Sequence, residues 1–368
     1  MNTRMIHFDF LRALAILFIV LSHLPEYIYY NQGILVFTPY FAIFGMALFV
    51  FISGYLIYEN NRRIHSYRDI LAFYKKRVLR LFPIYWSAIV LYYIVFAILV
   101  PRYAPGQFHY DISQLYGLNN LLVHLAGLQI ILSPGYAIPL PALWFVGLIF
   151  LFYLIYPFLM YCTKRCRDLV IMSAGIVIAF SLLRFLFNVI DDRFFNYFVV
   201  FIAGIVCCSL SVLQNERYSK IVLFAPIVMV CALLFDARVT SLIPIENYSA
   251  ASAFLYNIFL YGSPVLMISF SLTLLWFAES FLGNLSGTGT KIIEFLSTSS
   301  YPVFLYHTPV LLAAYGVIWF LNLQGIAGDF LIIVITLPLL FLFSYYIQKY
   351  EIRLRAKYFP PPIPHNTF

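Results

Sequence analysis

Apolar positions along this chain fall in long unbroken blocks, and polar positions gather in short stretches between them. The blocks open near Asp9, Pro39, Leu81, Ala142, Leu169, Phe195, Ile221, Phe254, Tyr301 and Phe330. Most run to the roughly 18 to 20 residues that cross a hydrocarbon core of about 30 Å. In lipid every backbone N–H and C=O must find a partner within the protein, so blocks of this length are expected to be helices. The pattern predicts an all-α polytopic transmembrane helix bundle of about ten spans.

The polar stretches orient the helices. Arg4 precedes the first block; Arg62, Arg63, Arg68, Lys75, Lys76, Arg77 and Arg80 follow the second, and Lys164, Arg165 and Arg167 the fourth. Arg217 and Lys220 follow the sixth, Lys291 the eighth, and Lys349, Arg353, Arg355 and Lys357 the tenth. Every second loop is basic, which places those loops and both termini in the cytoplasm. Residues 119–133 form a weaker apolar stretch whose crossing would invert every later loop, so parity makes it a short interfacial or re-entrant helix on the outer side. The alternative is an eleven-span bundle. The loop from Glu59 to Arg80 ends in alternating apolar and basic residues, as an amphipathic helix on anionic lipid heads would.

Composition narrows the solvent and the partners. Hydrophobic residues make up 63% of the 368 and charged residues only 10%, against roughly a quarter charged in a soluble domain. The protein is therefore expected to sit in a bilayer, as a multi-pass protein of the plasma membrane. The net charge of +8 is spread over short loops and forms no patch for nucleic acid. The first block, which contains Arg12 and lacks a small-residue cleavage pattern, is expected to be a retained helix and not a signal peptide. One transmembrane domain is expected over residues 1–358, followed by a disordered proline-rich tail over 359–368. Cys162, Cys166, Cys207, Cys208 and Cys231 show no metal-ligand array and fit packing cysteines.

Charge inside hydrocarbon costs about 2.5 to 3.5 kcal/mol per group, so each such residue needs a reason. Asp9 and Arg12 are one turn apart and can pair. Arg12 and His23 are eleven apart, almost three full turns and roughly 16 Å, and share a face. Taken singly, Arg12 would snorkel to one interface and His23 would end the helix at the other. Taken together, they mark a polar cavity through the bundle, with an imidazole suited to general-base work at neutral pH. His307, followed by Thr308 and Pro309, is a second titratable group within a span, and taken alone such a histidine is more often a satisfied packing residue. Ser53 and Gly54 allow close helix packing or backbone approach to a ligand. Trp144 falls where an aromatic belt is expected.

In chain order these stretches resemble the acyltransferase 3 family of membrane O-acyltransferases. FDFLRALAILFIVLSH is similar to that family's opening signature, an arginine and a histidine with ten residues between them; FVFISGYLI is similar to its second-helix motif. KKRVLRLFPIYW resembles its basic motif ending in proline, and SYPVFLYHTP its late-helix motif. Many members carry Trp-Ser-Leu and then a glutamate at the start of the fourth long span. Here Trp144, Phe145 and Val146 are followed by Gly147, Leu148 and Ile149, closer to the subgroup with Leu-Trp-Phe at that point.

The resemblance implies transfer of an acetyl or succinyl group from cytoplasmic acyl-coenzyme A, with acetyl-coenzyme A expected, to a hydroxyl of a cell-surface or lipid-linked polysaccharide. His23 would be the catalytic base or a transient acyl carrier. Arg12, Arg77 and Arg80 would hold the anionic parts of coenzyme A. Asp9, Ser53, Gly54, Trp144 and His307 would be substrate-binding or structural. No metal and no permanently bound cofactor are implied; the expected partners are acyl-coenzyme A, a carbohydrate acceptor and the bilayer. A transporter of polysaccharide or lipid-linked sugar, using Asp9, Arg12 and His23 as a relay, and a structural subunit of the cell envelope are the competing functions.

Overall fold

The computed structural model describes residues 6–29, 38–62, 64–96, 117–212, 214–215, 222–231, 250–282 and 287–358, giving backbone alone for 38–39 and 250–263. The described residues are helical and contain no strand. In chain order they form α1 (Ile6–His23), a 3-10 turn (Leu24–Glu26), α2 (Thr38–Asn60), α3 (Tyr67–Ile94), α4 (Leu118–Leu125) and α5 (Gln129–Leu132). There follow α6 (Trp144–Cys162), α7 (Cys166–Phe187), α8 (Arg193–Ser209), α9 (Ala250–Phe281), α10 (Thr288–Phe320) and α11 (Ile326–Phe330). A π-helical turn (Leu331–Thr336) leads into α12 (Leu337–Tyr358).

Among the described residues, eight segments are long and apolar enough to cross a membrane, and α8 adds a shorter apolar helix of 17 residues. Of the span expected near Ile221 only residues 222–231 are described, and the tail over 359–368 lies outside the described residues.

Two helices begin earlier than the hydropathy pattern suggests. The third block opens near Leu81, yet α3 starts at Tyr67 and the basic stretch is its first half. Ser66 caps it: its Oγ accepts from Asp69 N at 3.2 Å while Asp69 Oδ2 accepts from Ser66 N at 2.9 Å. This reciprocal cap satisfies two end donors and joins the expected amphipathic helix to the third apolar block as one continuous helix. The helix continues through Pro83, as membrane helices do when neighbours re-satisfy the freed backbone. Its 28 residues span about 42 Å, so the basic turns extend past the hydrocarbon. Likewise α10 starts at Thr288 instead of near Tyr301.

The first helix is the bundle's axis. Leu11, Ala15, Ile16 and Ile19 are buried and pack it between α2 and α10. The tightest crossing is that of α2 and α8: a Cβ on Gly54 would stand 2.1 Å from Phe201 O, and one on Gly204 2.2 Å from Phe51 O. Only glycine permits backbones so close. Phe152, Phe194, Phe198 and Phe201 fill the adjoining space between α6 and α8, all fully buried.

Residues 117–143 do not cross. At eight and four residues, α4 and α5 reach about 12 and 6 Å, far short of a bilayer. Gly127, at φ +72° and against Phe82 and Phe150, turns the chain back partway along α3 and α6. The segment is thus a short helical hairpin, as an interfacial or re-entrant segment would be, tied by Tyr85 Oη donating to His124 O (2.9 Å), Trp86 Nε1 to Leu125 O (3.0 Å) and Tyr92 Oη to Pro141 O (2.6 Å).

Candidate active site

At the end of the bundle away from the basic loops, α1 delivers His23 and α10 delivers His307. Their ring centroids are 5.1 Å apart with planes tilted by 42°, although 284 positions separate them in the chain. The His23 side chain keeps 33% of its surface, whereas His307 is fully buried. His23 Nδ1 lies 3.4 Å from Glu26 Oε1, across the 3-10 turn that follows α1. His307 Nδ1 lies 2.8 Å from Phe304 O and 3.2 Å from Val303 O. The carbonyl that Pro309 leaves without its helical donor is that of Leu305, so the imidazole does not use it.

Toward the basic end of the same helix, Arg12 Nη1 donates to Asp9 Oδ1 at 3.2 Å. Ser297 of α10 also donates to that oxygen, at 2.6 Å. Asp9 is only 4% exposed, and these two bonds hold its charge and tie α1 to α10. Arg12 and Asp9 thus pair across one turn, and the stripe of Asp9, Arg12 and His23 faces α10.

The basic end carries a cavity of about 1120 Å³ between α2, α3 and α12. Arg62, Lys75, Lys76, Arg80 and Arg355 bring positive charge to its wall, against Glu59 and Asp69. Both acids are engaged: Glu59 with Arg62 at 2.6 Å and Cys208 at 2.9 Å, Asp69 in the helix cap. Arg12 and His23 are not among its lining residues. The cleft thus stands at one end of the bundle and the imidazole pair at the other.

Arg77 and Arg80, one turn apart on α3, separate. Arg80 is exposed on the cleft wall, while Arg77 turns inward and is 7% exposed. Its guanidinium lies 5.2 Å from the ring centres of both Phe73 and Tyr153. Its Nε has no hydrogen-bond partner and no carboxylate pairs with it among the described residues. Phe73 also lines the cleft, so Arg77 is one layer behind the wall. Ser53 Oγ bonds Tyr153 Oη at 3.2 Å and so belongs to this cluster; Gly54, next to it, serves the α2–α8 crossing.

Trp144 opens α6 with the Arg193 guanidinium 4.5 Å from its ring centre. Arg193 donates to Asp191 through Nε and Nη2, both at 2.7 Å, and Ser133 Oγ adds a third bond at 3.2 Å. Burial raises the Asp191 carboxyl, but Arg193's bonds and charge outweigh it and hold it below its usual range. Behind Trp144, Gln129 of the hairpin fills the space that a side chain at Gly147 would need, with its Cδ 2.7 Å from a Cβ placed there. Gln129 Nε2 donates to Tyr85 Oη (3.0 Å) and Leu143 O (2.9 Å), while Oε1 is buried without a partner.

Glu26, Tyr153 and Gln129 are thus part of these clusters although nothing in the hydropathy pattern marks them. Only Glu26 carried a local signal, a carboxylate three residues after His23. No group of three or more His, Cys, Asp or Glu that could hold a metal occurs among the described residues.

No curated protein and no solved structure shows significant similarity to the chain. A family model described as an acyltransferase domain matches residues 5–348, spanning α1 with its arginine and histidine, the basic stretch of α3 and the late histidine of α10. The chain belongs to the acyltransferase 3 family and is a multi-pass membrane acyltransferase.

Proposed function

We propose that the protein moves a short acyl group, acetyl or succinyl, from cytoplasmic acyl-coenzyme A to a hydroxyl of a cell-surface or lipid-linked polysaccharide across the plasma membrane. The observation that supports the donor half is Arg77, a buried cation without an anionic partner among the described residues, directly behind a cleft walled by five more cations. A buried charge is stable only when paired, and the two acids of the cleft wall, Glu59 and Asp69, are already bound. Phosphate groups supply the missing charge, and guanidinium forks bind them well. The cleft volume suits a nucleotide-sized ligand.

The acceptor half rests on His23, the more accessible of the two imidazoles. Glu26, accepting from Nδ1, leaves the Nε2 lone pair for chemistry, as a carboxylate does for a catalytic histidine elsewhere. The hydroxyl oxygen attacks the thioester carbonyl as its proton passes to Nε2. The C–O bond forms, the C–S bond breaks, and the departing sulfur takes the proton from the imidazolium to leave a free thiol. General-base assistance of this kind is typically worth 10² to 10⁴ in rate. Arg12, paired to Asp9, lies between the cleft and His23 along α1, where it faces the acyl arm of the donor.

The test is expression of wild type and His23→Ala at equal membrane levels with mass analysis of surface and lipid-linked glycans. An acyl mass increment that depends on the protein and disappears in the variant is expected. No increment with wild type, or full retention in the variant, overturns the proposal.

A further inference from the structure

The end of the last helix forms one wall of the cleft at the basic end. Ile352, Arg355 and Tyr358 of α12 line it together with Lys76 and Arg80 of α3. Charges from the two helices converge there. Lys76 feels the charges of Arg77, Arg80 and Arg355, and Glu351 feels those of Arg355 and Arg80. Four cations thus meet one carboxylate, an excess that favours an anion of more than one charge.

Arg355 is loosely held. Glu351 is 8% exposed, and its Oε2 already accepts from Gln348 Nε2 at 3.0 Å. Arg355 Nη1 stands 3.6 Å from the other oxygen, an ion pair longer than a hydrogen bond. The Arg355 side chain also keeps 31% of its surface, so its planar fork of donors is open to a ligand in the cleft.

The order of groups along coenzyme A sets which phosphate meets that fork. The acyl end must point out of the cleft toward His23, so the diphosphate in mid-chain comes to Arg77 behind the wall. The ribose with its phosphomonoester then stays at the mouth, beside the last turn of α12. A phosphomonoester carries about −1.5 to −2 at neutral pH and three strong acceptor oxygens, more charge than either phosphate of the diphosphate. Tyr358, one turn past Arg355 on the same wall, offers an exposed ring for the purine on that ribose.

We infer that Arg355 is a donor-specificity residue: it exchanges its loose pair with Glu351 for the ribose phosphomonoester of acyl-coenzyme A, so the protein discriminates against a thioester lacking that phosphate. This inference rests on the acyl-transfer proposal and specifies how its donor is recognised.

The experiment is calorimetric titration of the purified full chain in detergent with acetyl-coenzyme A and with its 3′-dephospho form, using wild type, Arg355→Met and Glu351→Gln. Wild type is expected to bind acetyl-coenzyme A roughly tenfold more tightly than the dephospho form. Arg355→Met is expected to lose about that factor for acetyl-coenzyme A and to bind the dephospho form as wild type does, so that the two donors converge. Glu351→Gln retains an oxygen for Gln348 but removes the charge that competes for Arg355, and is expected to bind acetyl-coenzyme A about threefold more tightly. A purely structural Arg355 would weaken both donors alike. If wild type binds neither donor, the acyl-transfer proposal itself fails at its donor half. If wild type binds the two donors equally, or if Arg355→Met weakens both by the same factor, only the present inference is overturned. Should Arg355→Met not accumulate, Glu351→Gln decides: no gain for acetyl-coenzyme A, or an equal gain for both donors, overturns it.

Discussion

Replacing Arg77 with methionine separates structure from function at the buried cation, because the two roles predict opposite signs for stability. The side chain's favourable contacts are the faces of Phe73 and Tyr153, each 5.2 Å from the guanidinium, worth about 0.5 to 2 kcal/mol apiece. Against them stands a desolvation penalty of several kcal/mol for a charge without a counter-ion. Methionine keeps the length of the stem and its contact with both rings. Exchanging a buried ion for an apolar side chain of similar size is often neutral or stabilising by about 1 to 4 kcal/mol, so Arg77→Met is expected to melt no lower than wild type in detergent.

Donor binding should respond in the other direction. Losing one charge-assisted hydrogen bond costs about 1.5 to 3 kcal/mol, which weakens acyl-coenzyme A roughly 10- to 150-fold. Calorimetric titration gives the affinity, and the thermal shift with added acyl-coenzyme A gives an independent check, since a ligand bound only to the folded state raises its melting point. Arg80→Met, on the exposed wall, should show a smaller and salt-sensitive loss. A variant at Arg77 that melts lower than wild type and binds acyl-coenzyme A unchanged would falsify the donor role and make the residue a structural cation.

Two further outcomes are expected. Gly54→Ala must push α2 and α8 apart by about 1 Å to relieve a 2.1 Å approach to Phe201 O; overpacking of this kind costs about 1 to 3 kcal/mol. Because the same shift relieves Gly204→Ala, the double variant should lose less than the sum of the two, and additive melting shifts would count against a shared contact. The second concerns acid. Asp191 is held below its ordinary value of 3.8, so its pair with Arg193 stabilises the fold fully above that value and is lost as the pH falls through the lower folded value. Asp191→Asn should be less stable than wild type by about 1.5 to 3 kcal/mol at neutral pH and should have the flatter melting profile below about pH 4. Parallel profiles for the two proteins would exclude the pair as the cause.

Much of the architecture was legible because its causes are local. Long apolar blocks in lipid have no option but helix, and loop charge alternates in register with them. Asp9 and Arg12 are one turn apart and do pair; Gly54 suits close packing and does pack. The basic stretch is helical, as its alternation of apolar and basic residues implies; its continuity with the third apolar block was not legible, because it depends on the Ser66 cap and on the passage through Pro83. Other features depend on contacts far apart in sequence. No periodicity announces that His307 reaches His23, that Arg77 turns away from Arg80 to lie between two rings, or that Gln129 occupies the room beside Gly147.

The helical hairpin is held by bonds that end on its backbone. Tyr85, Trp86 and Tyr92 of α3 donate to the carbonyls of His124, Leu125 and Pro141. The loop before α8 does the same, with Ile190 N and Asp191 N donating to Ile131 O and Ile130 O. Every residue type supplies a carbonyl, so beside the side-chain bonds of Gln129 and Ser133 this part of the clamp does not depend on the side chains at the hairpin's exposed positions. Positions such as Leu118, Leu122 and Tyr136, which are exposed, can change while the grip on the hairpin stays the same. A scaffold with that property can change its exposed side chains one at a time without rebuilding the bundle that carries it.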